Sequence, residues 1–489
     1  MSNKPNIIMI MTDDHGYWAM GCDGNQEIHT PNLDRLAQNG VLFKNFFCVS
    51  PVCSPARASI FTGKIPSQHG IHDWIHKGHA SESELNEELR AKIYDEKAPD
   101  EYNWVRNQMK GDVAIDYLEG QTCFTEVLAH NGYTCGLSGK WHMGNSGKAQ
   151  AGFSYWKSIA MGGDNYYYPT VLQNDEFVML REKYLTEYIT ENAIDFIEQT
   201  KGDEKPFYLS VHYTAPHSPW GKDQHPAEAY QIYEDCPFES VPNEPAHEWS
   251  IYKSQTKEQA AKARIENLKG YYAAVTAMDK GVGELLDYLE ENNLIEDTLI
   301  IFTSDNGMSM GHHGIFGKGN GTFPLNMYDT AVKVPAIISY PKAMKKGEIN
   351  EELLSHYDIM PTLLEYLELE NNIDTSTLPG QSFAPLLEGK GLERDTSVII
   401  FDEYGPTRMI RTKEWKYIHR YPYGPHELYH LVEDPGEKIN LIDEEKCSVI
   451  TKELRGKLST WFNKYVDPLV DGKGEAVKGY GQTGKGEYK

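Results

Sequence analysis

The segment SPVCSPARASIFTGKIPSQHG, residues 50–70, places a thiol where several chemistries are possible. Cys53 precedes Pro55 by two residues and Arg57 by four, and the continuation ARASIFTG predicts the first turns of a helix. A cysteine here could be a disulfide partner, a metal ligand, a small buried apolar residue or a reactive centre. Because a helix N-terminus and a guanidinium both favour negative charge, the surroundings of Cys53 suit a reactive thiol or an anionic substrate group.

Cysteine usage weakens two of these four interpretations. The chain of 489 residues contains seven cysteines, an odd number, and no C-x-x-C pair. Neither a disulfide framework nor a zinc site is favoured by this pattern. A buried apolar cysteine and a reactive centre remain.

Two pairs of oxygen-bearing side chains follow apolar runs that predict strands. Asp13 and Asp14 come directly after NIIMIMT, and Asp305 and Asn306 come after TLIIFTS. Either pair alone is equally well explained as a helix or turn cap. Together they favour a hard divalent cation, calcium first and magnesium second, because such ions prefer oxygen ligands.

Four basic or titratable side chains stand in short loops beside Gly, Pro or Trp. They are Lys140 and His142 in SGKWHMG, His217 in APHSPW and Lys318 in GHHGIFGKGNG. Taken singly, each is more simply explained as a solvated loop residue. The formal net charge of −25 excludes nucleic acid and anionic membranes as favoured partners, so an anionic substrate would need a local cationic pocket.

Strand-like apolar runs alternate with helix-period segments along most of the chain. This pattern predicts an α/β fold with a large, mostly parallel sheet sandwiched by helices. Strands predicted at 6–11, 206–213 and 298–307, and a short one in YTCGLSG, each run into one of the polar clusters. Because the carboxyl ends of the strands line the crevice in open α/β sheets, we expect these clusters to converge there.

Near residue 385 the alternation of strand-like and helix-period segments gives way to short strand-like runs separated by turns. We predict a catalytic α/β domain over 1–384 and a smaller α+β domain over 385–489, with an antiparallel sheet, a terminal helix near 449–466 and a Gly- and Lys-rich tail. The polar segment 76–120 has no clear period and predicts loops at the surface or over a pocket. The N-terminal apolar run is too short for a secretory signal or a membrane span, so we expect a cytoplasmic protein.

The ordered motifs together resemble the type I sulfatases of the alkaline phosphatase superfamily. In chain order they are NIIMIMTDDHG, TPNLDRLAQNGVLFKNFF, CSPARASIFTG, GKWHMG, YTAPHSPW, FTSDNG and GKGNG. The resemblance runs from Pro5 to about Leu367 and continues in ELYHLVEDPGEKINL at 427–441. It implies an alkaline phosphatase-like fold and hydrolysis of a sulfuric ester with release of inorganic sulfate.

The resemblance also implies an answer for Cys53. In that family the cysteine of the C-x-P-x-R string is oxidised by a formylglycine-generating enzyme to formylglycine, an aldehyde that hydrates to a geminal diol. One hydroxyl of the diol attacks sulfur, and the other then drives collapse to the aldehyde with expulsion of sulfate. The thiol is then a precursor of the nucleophile.

Further roles are carried over from the family residue by residue. The implied metal ligands are Asp13, Asp14, Asp305, Asn306 and the modified Cys53. Arg57 resembles the guanidinium that holds the modified side chain and the sulfate, and Lys140 and Lys318 resemble the ammonium groups that grip sulfate oxygens. His217 resembles the general acid for the departing alcohol and His142 the base for the second hydroxyl, although the two roles could be exchanged.

The substrate is expected to be a sulfated glycan fragment, such as a uronic acid or amino sugar O-sulfate, with aryl and alkyl sulfates left open. Six residues are candidates for the pocket rim: His312, His313, Trp74, Trp220, Arg408 and Arg411. Aromatic faces suit sugar rings and Arg suits a carboxylate, whereas the simpler explanations are loop histidines, core tryptophans and solvated arginines. Two alternative functions are a phosphodiesterase or phosphonate monoester hydrolase of the same superfamily, and a non-catalytic glycan binder with an unmodified Cys53. The oligomeric state is not predicted.

Overall fold

The computed structural model describes residues 4–251, 257–369, 373–392, 400–475 and 477. The strands are β1 (Asn6–Thr12), β2 (Val41–Phe43), β3 (Phe46–Phe47), β4 (Thr134–Gly139), β5 (Tyr155–Ser158), β6 (Thr170–Gln173), β7 (Glu176–Met179), β8 (Phe207–His212), β9 (Thr298–Ser304), β10 (Ser309–Met310), β11 (Phe316–Gly317), β12 (Lys333–Val334), β13 (Ala336–Ser339), β14 (Glu348–Asn350), β15 (Leu354–Ser355), β16 (Ile400–Tyr404), β17 (Thr407–Arg411), β18 (Trp415–Arg420) and β19 (Glu427–His430). The helices are α1 (Pro31–Gln38), α2 (Cys53–Thr62), α3 (Pro66–His69), α4 (Glu87–Lys92), α5 (Asn103–Met109), α6 (Phe124–His130), α7 (Leu185–Thr200), α8 (Ala227–Gln231), α9 (Lys257–Glu291), α10 (Asp329–Val332), α11 (Ile359–Tyr366), α12 (Ala384–Leu387) and α13 (Ser448–Tyr465).

An eight-stranded sheet organises the larger part of the molecule, in the order β14-β2-β13-β9-β1-β8-β4-β5. The five strands from β9 to β5 run parallel, whereas β13 is antiparallel to both of its neighbours. The predicted mostly parallel α/β sheet is confirmed. The five parallel strands therefore present their carboxyl ends along one side of the sheet.

Both faces of this sheet are buried, and β1 shows why its sequence is apolar throughout. Ile7 and Met9 point into one core cluster, and Ile8 and Ile10 point into the other. Successive side chains alternate between faces, so a strand covered on both sides needs an unbroken apolar run. The helix α9 contributes to the second cluster through residues such as Leu268.

The four-stranded antiparallel sheet β16-β17-β18-β19 and the helix α13 form the C-terminal part that the sequence predicts. Leu454 and Phe462 of α13 pack against this sheet, in a cluster that includes Ile410 and Tyr417. The short helix α12 spans the boundary predicted between residues 384 and 385, and Leu387 belongs to a core cluster of the large sheet. The boundary itself stays a prediction.

The segment 76–120 is more ordered than its polar texture indicates. It contains α4 and α5, whose apolar side chains build a small core with β6 and β7. Short amphipathic turns of this kind lack the long period by which a sequence reveals a helix. Within the described residues, no helix combines the length and the apolar character that crossing a membrane requires.

Candidate active site

The polar clusters predicted to converge lie at the ends of four adjacent parallel strands, β9, β1, β8 and β4. Thr12, the last residue of β1, pairs with Ser304 of β9, and Gly139 of β4 pairs with His212 of β8. The strands thus stop at one level. The side chains beyond them are, in sheet order, Asp305 and Asn306, Asp13 and Asp14, His217, and Lys140 with His142.

Four buried groups lie close enough to hold one cation: Asp13, Asp14, Cys53 and Asp305. One ligand atom from each lies within 4.8 Å of the others. Asn306 Nδ2 donates to Asp14 Oδ1 at 2.8 Å, while the buried Asn306 Oδ1 has no hydrogen-bond partner in the described part of the chain. A buried oxygen without a partner is costly unless a donor or a cation satisfies it. This oxygen-rich donor set fits a hard divalent cation.

Basic side chains compensate these carboxylates unequally. Burial alone would raise the pKa of Asp305, but Arg57 and Lys140 hold it well below its usual range. Burial also raises the pKa of Asp14, but the nearby Lys318 and His217 lower it by more, so it lies below its ordinary value. By contrast, burial and the neighbouring Asp305 raise the pKa of Asp13. The basic side chains therefore compensate the negative charge of Asp13 less fully than that of Asp14 or Asp305.

Cys53 is the first residue of α2, a helix whose ten residues are all buried. Its Sγ lies 3.4 Å from Asp13 Oδ1 and 2.8 Å from the ammonium of Lys318. Burial and Asp13 raise the pKa of the thiol to about 12. Desolvation and the facing carboxylate thus oppose a thiolate at Cys53, although Lys140 and Lys318 favour negative charge there.

Arg57 lies one turn after Cys53 and is fully buried. Its Nε donates to Asp305 Oδ2 at 2.8 Å and its Nη1 to the carbonyl oxygen of Lys140 at 3.0 Å. Among the described residues, Nη2 has no acceptor. A buried guanidinium with a free N–H is a ready donor for an anionic oxygen.

The two lysines contact different carboxylates of the cluster. The Lys140 ammonium contacts Asp13 Oδ2, and the Lys318 ammonium contacts Asp14 Oδ1. Lys140 is fully buried and Lys318 nearly so. Buried ammonium groups require carboxylate or anion partners, so these two charges are fixed at the site.

His142 has one ring nitrogen engaged and one free. The residue adopts a left-handed backbone conformation with φ 57°, and its Nε2 donates to the carbonyl oxygen of Ile75 at 3.0 Å. Nδ1 is then the unprotonated nitrogen, and within the described ranges it has no partner. Burial and Lys140 lower the pKa of His142 well below its usual value, which keeps the ring neutral.

His217 uses its other ring nitrogen, Nδ1, for the backbone hydrogen bond. Its Nδ1 donates to the carbonyl oxygen of Ser218 at 2.7 Å, and its Nε2 lies 3.7 Å from Asp14 Oδ2. Hydrogen bonding by one nitrogen fixes which nitrogen remains for chemistry. The Nε2 atom therefore faces the acidic cluster.

Comparison with known proteins decides the family. A family model described as "Sulfatase" matches residues 5–369, and one described as "N-sulphoglucosamine sulphohydrolase, C-terminal" matches residues 311–464. The chain belongs to the sulfatase family. It is accordingly a hydrolase of sulfuric esters, as the ordered motifs predict.

Two curated relatives and one solved structure are similar to this sulfatase over nearly its whole length. An N-acetylglucosamine-6-O-sulfatase of Bacteroides thetaiotaomicron is 29% identical, covering 96% of this chain and 88% of the relative. An ulvan-active sulfatase of Formosa agariphila is 28% identical, covering 93% of this chain and 80% of the relative. A structure of a protein in complex with its substrate D-glucosamine-2-N,6-O-disulfate superposes with a TM-score of 0.74 at 26% identity, covering 96% of this chain and all of the other.

Three residues of the sulfatase site carry no recognisable signal in the sequence. The Tyr271 hydroxyl donates to the Asp14 carbonyl at 2.9 Å, and the Tyr166 hydroxyl donates to the His217 carbonyl at 2.7 Å. His212 Nδ1 donates to the carbonyl oxygen of Lys140 at 2.9 Å. With 31 tyrosines in the chain, residue type alone does not distinguish the two that hold site backbone. Their helix or loop must first be placed in space.

The rim histidines lie against aromatic rings of the sulfatase. His312 is 4.9 Å from the Trp18 ring, centroid to centroid, and His313 stacks on Tyr328 at 3.8 Å. Burial lowers the pKa of both to about 3, with Lys438 as a further cause. Both rings are therefore neutral, and their proposed contact with substrate stays a prediction.

The rim tryptophans are also held by protein contacts. Trp74 meets His76 edge-on at 5.1 Å and packs against a core cluster. Trp220 Nε1 donates to the carbonyl oxygen of Pro216 at 2.8 Å, and its ring meets Tyr271 edge-on at 6.0 Å. Both are partly buried, so a substrate contact stays a prediction for them as well.

Arg408 and Arg411 are strand residues of the C-terminal sheet and lie in buried ion pairs. Arg408 lies 3.4 Å from Glu403 and 2.5 Å from Asp471. Arg411 binds Asp329 at 3.0 Å. Carboxylates of the protein itself pair with both guanidinium groups, so the alternative of solvated arginines does not hold, and a substrate contact stays a prediction.

Proposed function

We propose that this sulfatase hydrolyses an O-sulfate ester of a saccharide, using a formylglycine residue made from Cys53 and one divalent cation, Ca²⁺ before Mg²⁺. The observation that carries the proposal is the convergence of three buried cationic side chains and an acidic cation-sized cluster on Cys53. A cationic centre inside a protein of net charge −25 serves an anionic reaction centre.

Sulfate binding is the task of Arg57, Lys140 and Lys318. The unpartnered Nη2 of Arg57 and the lysine ammonium groups supply N–H donors from different directions. Because they are buried and already positioned, they stabilise charge on the sulfuryl oxygens without a large reorganisation. Because the same side chains are buried, the low local dielectric strengthens each interaction.

The cation would be held by Asp13, Asp14, Asp305 and Asn306. When bound, such an ion acidifies a coordinated hydroxyl and neutralises sulfate charge, and a formylglycine hydrate supplies the hydroxyl. A formylglycine-generating enzyme that recognises Cys53, Pro55 and Arg57 is the partner this requires. In the net reaction the ester and water give the alcohol and inorganic sulfate.

Proton transfer is divided between the two histidines. His217, whose Nε2 lies 3.7 Å from Asp14 Oδ2, gives a proton to the departing alcohol oxygen. His142, whose Nδ1 has a free lone pair in a buried, neutral ring, accepts a proton during sulfate release. Support for this division comes from position: His217 Nε2 lies beside Asp14, whereas the free nitrogen of His142 is Nδ1 of a buried ring.

A saccharide substrate is supported by the similar proteins. One relative is named an N-acetylglucosamine-6-O-sulfatase, another an ulvan-active sulfatase, and the solved structure holds a disulfated glucosamine. Amino sugar or uronic acid O-sulfates are therefore the first substrates to test.

The test is sulfate release from a panel of defined sulfated saccharides in the presence of Ca²⁺. Hydrolysis of paired 4-nitrophenyl sulfate and phenylphosphonate esters is measured alongside, to compare sulfate with phosphonate. We expect release from at least one saccharide and a preference for sulfate over phosphonate. A large phosphonate preference would replace the proposal with a phosphonate hydrolase. Saccharide binding without turnover by protein carrying the aldehyde would replace it with a glycan binder.

A further inference from the structure

The helix α5 carries an aromatic side chain that the core does not use. Val105 and Met109 of α5 are buried in the small core of the 76–120 segment, together with Ala160 and Met161. Trp104 points away from this core, and 37% of its surface is exposed. Gly162 and Gly163 form a loop directly after Met161. Because Met161 packs in the same core as α5, this loop is held near the helix.

That loop links Trp104 to the proposed general acid. A Cβ added to Gly163 would stand 3.0 Å from His217 Cε1 and 3.6 Å from Trp104 Cζ2, so both rings flank this glycine. Trp104 Nε1 donates to the carbonyl oxygen of Gly163. The indole is therefore held in one orientation at the position where the leaving group would depart.

A second aromatic residue of the same segment shows a different arrangement. Tyr94 is 55% exposed, but its hydroxyl donates to Glu82, and the Lys110 ammonium lies 4.5 Å from its ring centroid. The protein thus covers one face of Tyr94 itself. For Trp104, the Gly163 carbonyl already satisfies the polar N–H, so what the indole can offer a partner is its carbon surface.

We propose that Trp104 is the platform on which the ring of the substrate sugar stacks while its sulfated oxygen lies beside His217. The proposal rests on the saccharide sulfatase function above. A pyranose has an apolar C–H face that removes water from an indole, and the leaving oxygen is only one or two bonds from that ring. An aromatic surface at this distance selects a saccharide ester over inorganic sulfate.

The experiment measures binding separately from turnover, by calorimetry in the inactive Cys53→Ala background. The ligands are inorganic sulfate and whichever sulfated monosaccharide of the panel binds this background most tightly. Adding Trp104→Ala should weaken saccharide binding roughly 10- to 100-fold, by analogy with aromatic stacking on nucleobases, and leave inorganic sulfate binding unchanged. Trp104→Phe should retain most of the affinity, and Tyr94→Ala is the matched control that should retain all of it.

Equal saccharide affinity with and without the indole would overturn the platform, and so would the absence of saccharide binding to Cys53→Ala. An equal loss for saccharide and inorganic sulfate would also overturn it, because the effect would then be a general disturbance of the site. Failure of the proposed function has a different signature. In that case the wild-type protein binds the saccharide but releases no sulfate.

Discussion

At the scale of the residue, the site depends on side chains that have one polar atom occupied and one atom free. Arg57 keeps Nη2 free, His142 keeps Nδ1 free and Asn306 keeps Oδ1 free, each within the described residues. The occupied atoms fix the orientation of each group. The free atoms define where sulfate, proton and cation would interact.

The first prediction concerns the free guanidinium nitrogen. Arg57→Lys retains the charge but cannot contact Asp305, the Lys140 carbonyl and an anion together. We expect kcat/KM for the saccharide sulfate to fall by about 100-fold or more, as for the loss of a positioned donor. Steady-state kinetics test this, with circular dichroism as the control for folding. Near wild-type kcat/KM would show that Arg57 only balances Asp305.

The second prediction separates the histidines by leaving group. His217→Asn should slow turnover of the saccharide sulfate by about 100- to 10,000-fold. It should slow 4-nitrophenyl sulfate far less, because nitrophenolate leaves without a proton. His142→Asn should slow both substrates to a similar extent. The reverse pattern would exchange the two roles.

These residue types could be predicted from motifs, but their hydrogen-bonding states could not. C-x-P-x-R and the strand-end pairs identify Cys53, Arg57 and the acidic ligands. The direction of the His142 ring depends on the Ile75 carbonyl, which no spacing reveals. Trp104 was missed because its contact with Gly163 joins two segments far apart in sequence.

At the scale of the element, a buried ion-pair network attaches the C-terminal sheet to the rest of the protein. Asp329 at the start of α10 binds Arg411 of β17 at 3.0 Å and Lys416 of β18 at 2.6 Å. Lys416 also binds Glu437 at 2.6 Å. Although burial opposes it, the attraction of Arg411 and Lys416 holds the pKa of Asp329 well below its ordinary value.

The third prediction follows from that depressed pKa. A carboxyl group whose pKa is lower in the folded than in the unfolded state stabilises the folded protein at pH values above the unfolded-state pKa. This contribution is lost as the pH falls through the folded-state pKa. Asp329→Asn should therefore lower the free energy of unfolding at pH 7 by about 3 to 5 kcal/mol. The difference from wild type should shrink only below about pH 4. Urea unfolding at several pH values measures it, and a pH-independent difference would contradict the mechanism.

Element positions were predictable where burial imposes a clear pattern. The apolar runs of β1, β8 and β9 and the helix after Cys53 are as predicted. The helices α4 and α5 were not predicted, because six and seven residues are too few to establish a helical period. The antiparallel insertion of β13 likewise depends on long-range pairing that no local pattern encodes.

At the scale of the whole molecule, a strongly acidic chain brings three cationic side chains, Arg57, Lys140 and Lys318, together at the carboxyl ends of its parallel strands. The net charge of −25 disfavours nucleic acid and anionic membranes as partners, whereas the local cationic side chains suit an anionic substrate. The sulfatase family and the mostly parallel sheet were both predictable. The packing of the 76–120 segment beside the site was not.

The fourth prediction concerns the cation. Chelation followed by gel filtration should abolish sulfate release and lower the melting temperature by roughly 3 °C, because bound ion no longer offsets the clustered carboxylates. Added Ca²⁺ should restore both quantities, and Mg²⁺ should restore less. Full activity and an unchanged melting temperature in metal-free protein would contradict the assignment of Asp13, Asp14, Asp305 and Asn306.

The most direct measurement is the mass of the Cys53 peptide set against the rate of sulfate release. Preparations made with and without a formylglycine-generating enzyme will differ in the fraction that carries the aldehyde, which is about 18 Da lighter than the thiol. We predict that the rate per mole of protein is proportional to this fraction and reaches zero with it. Turnover by fully unmodified thiol protein would contradict the nucleophile proposed at Cys53.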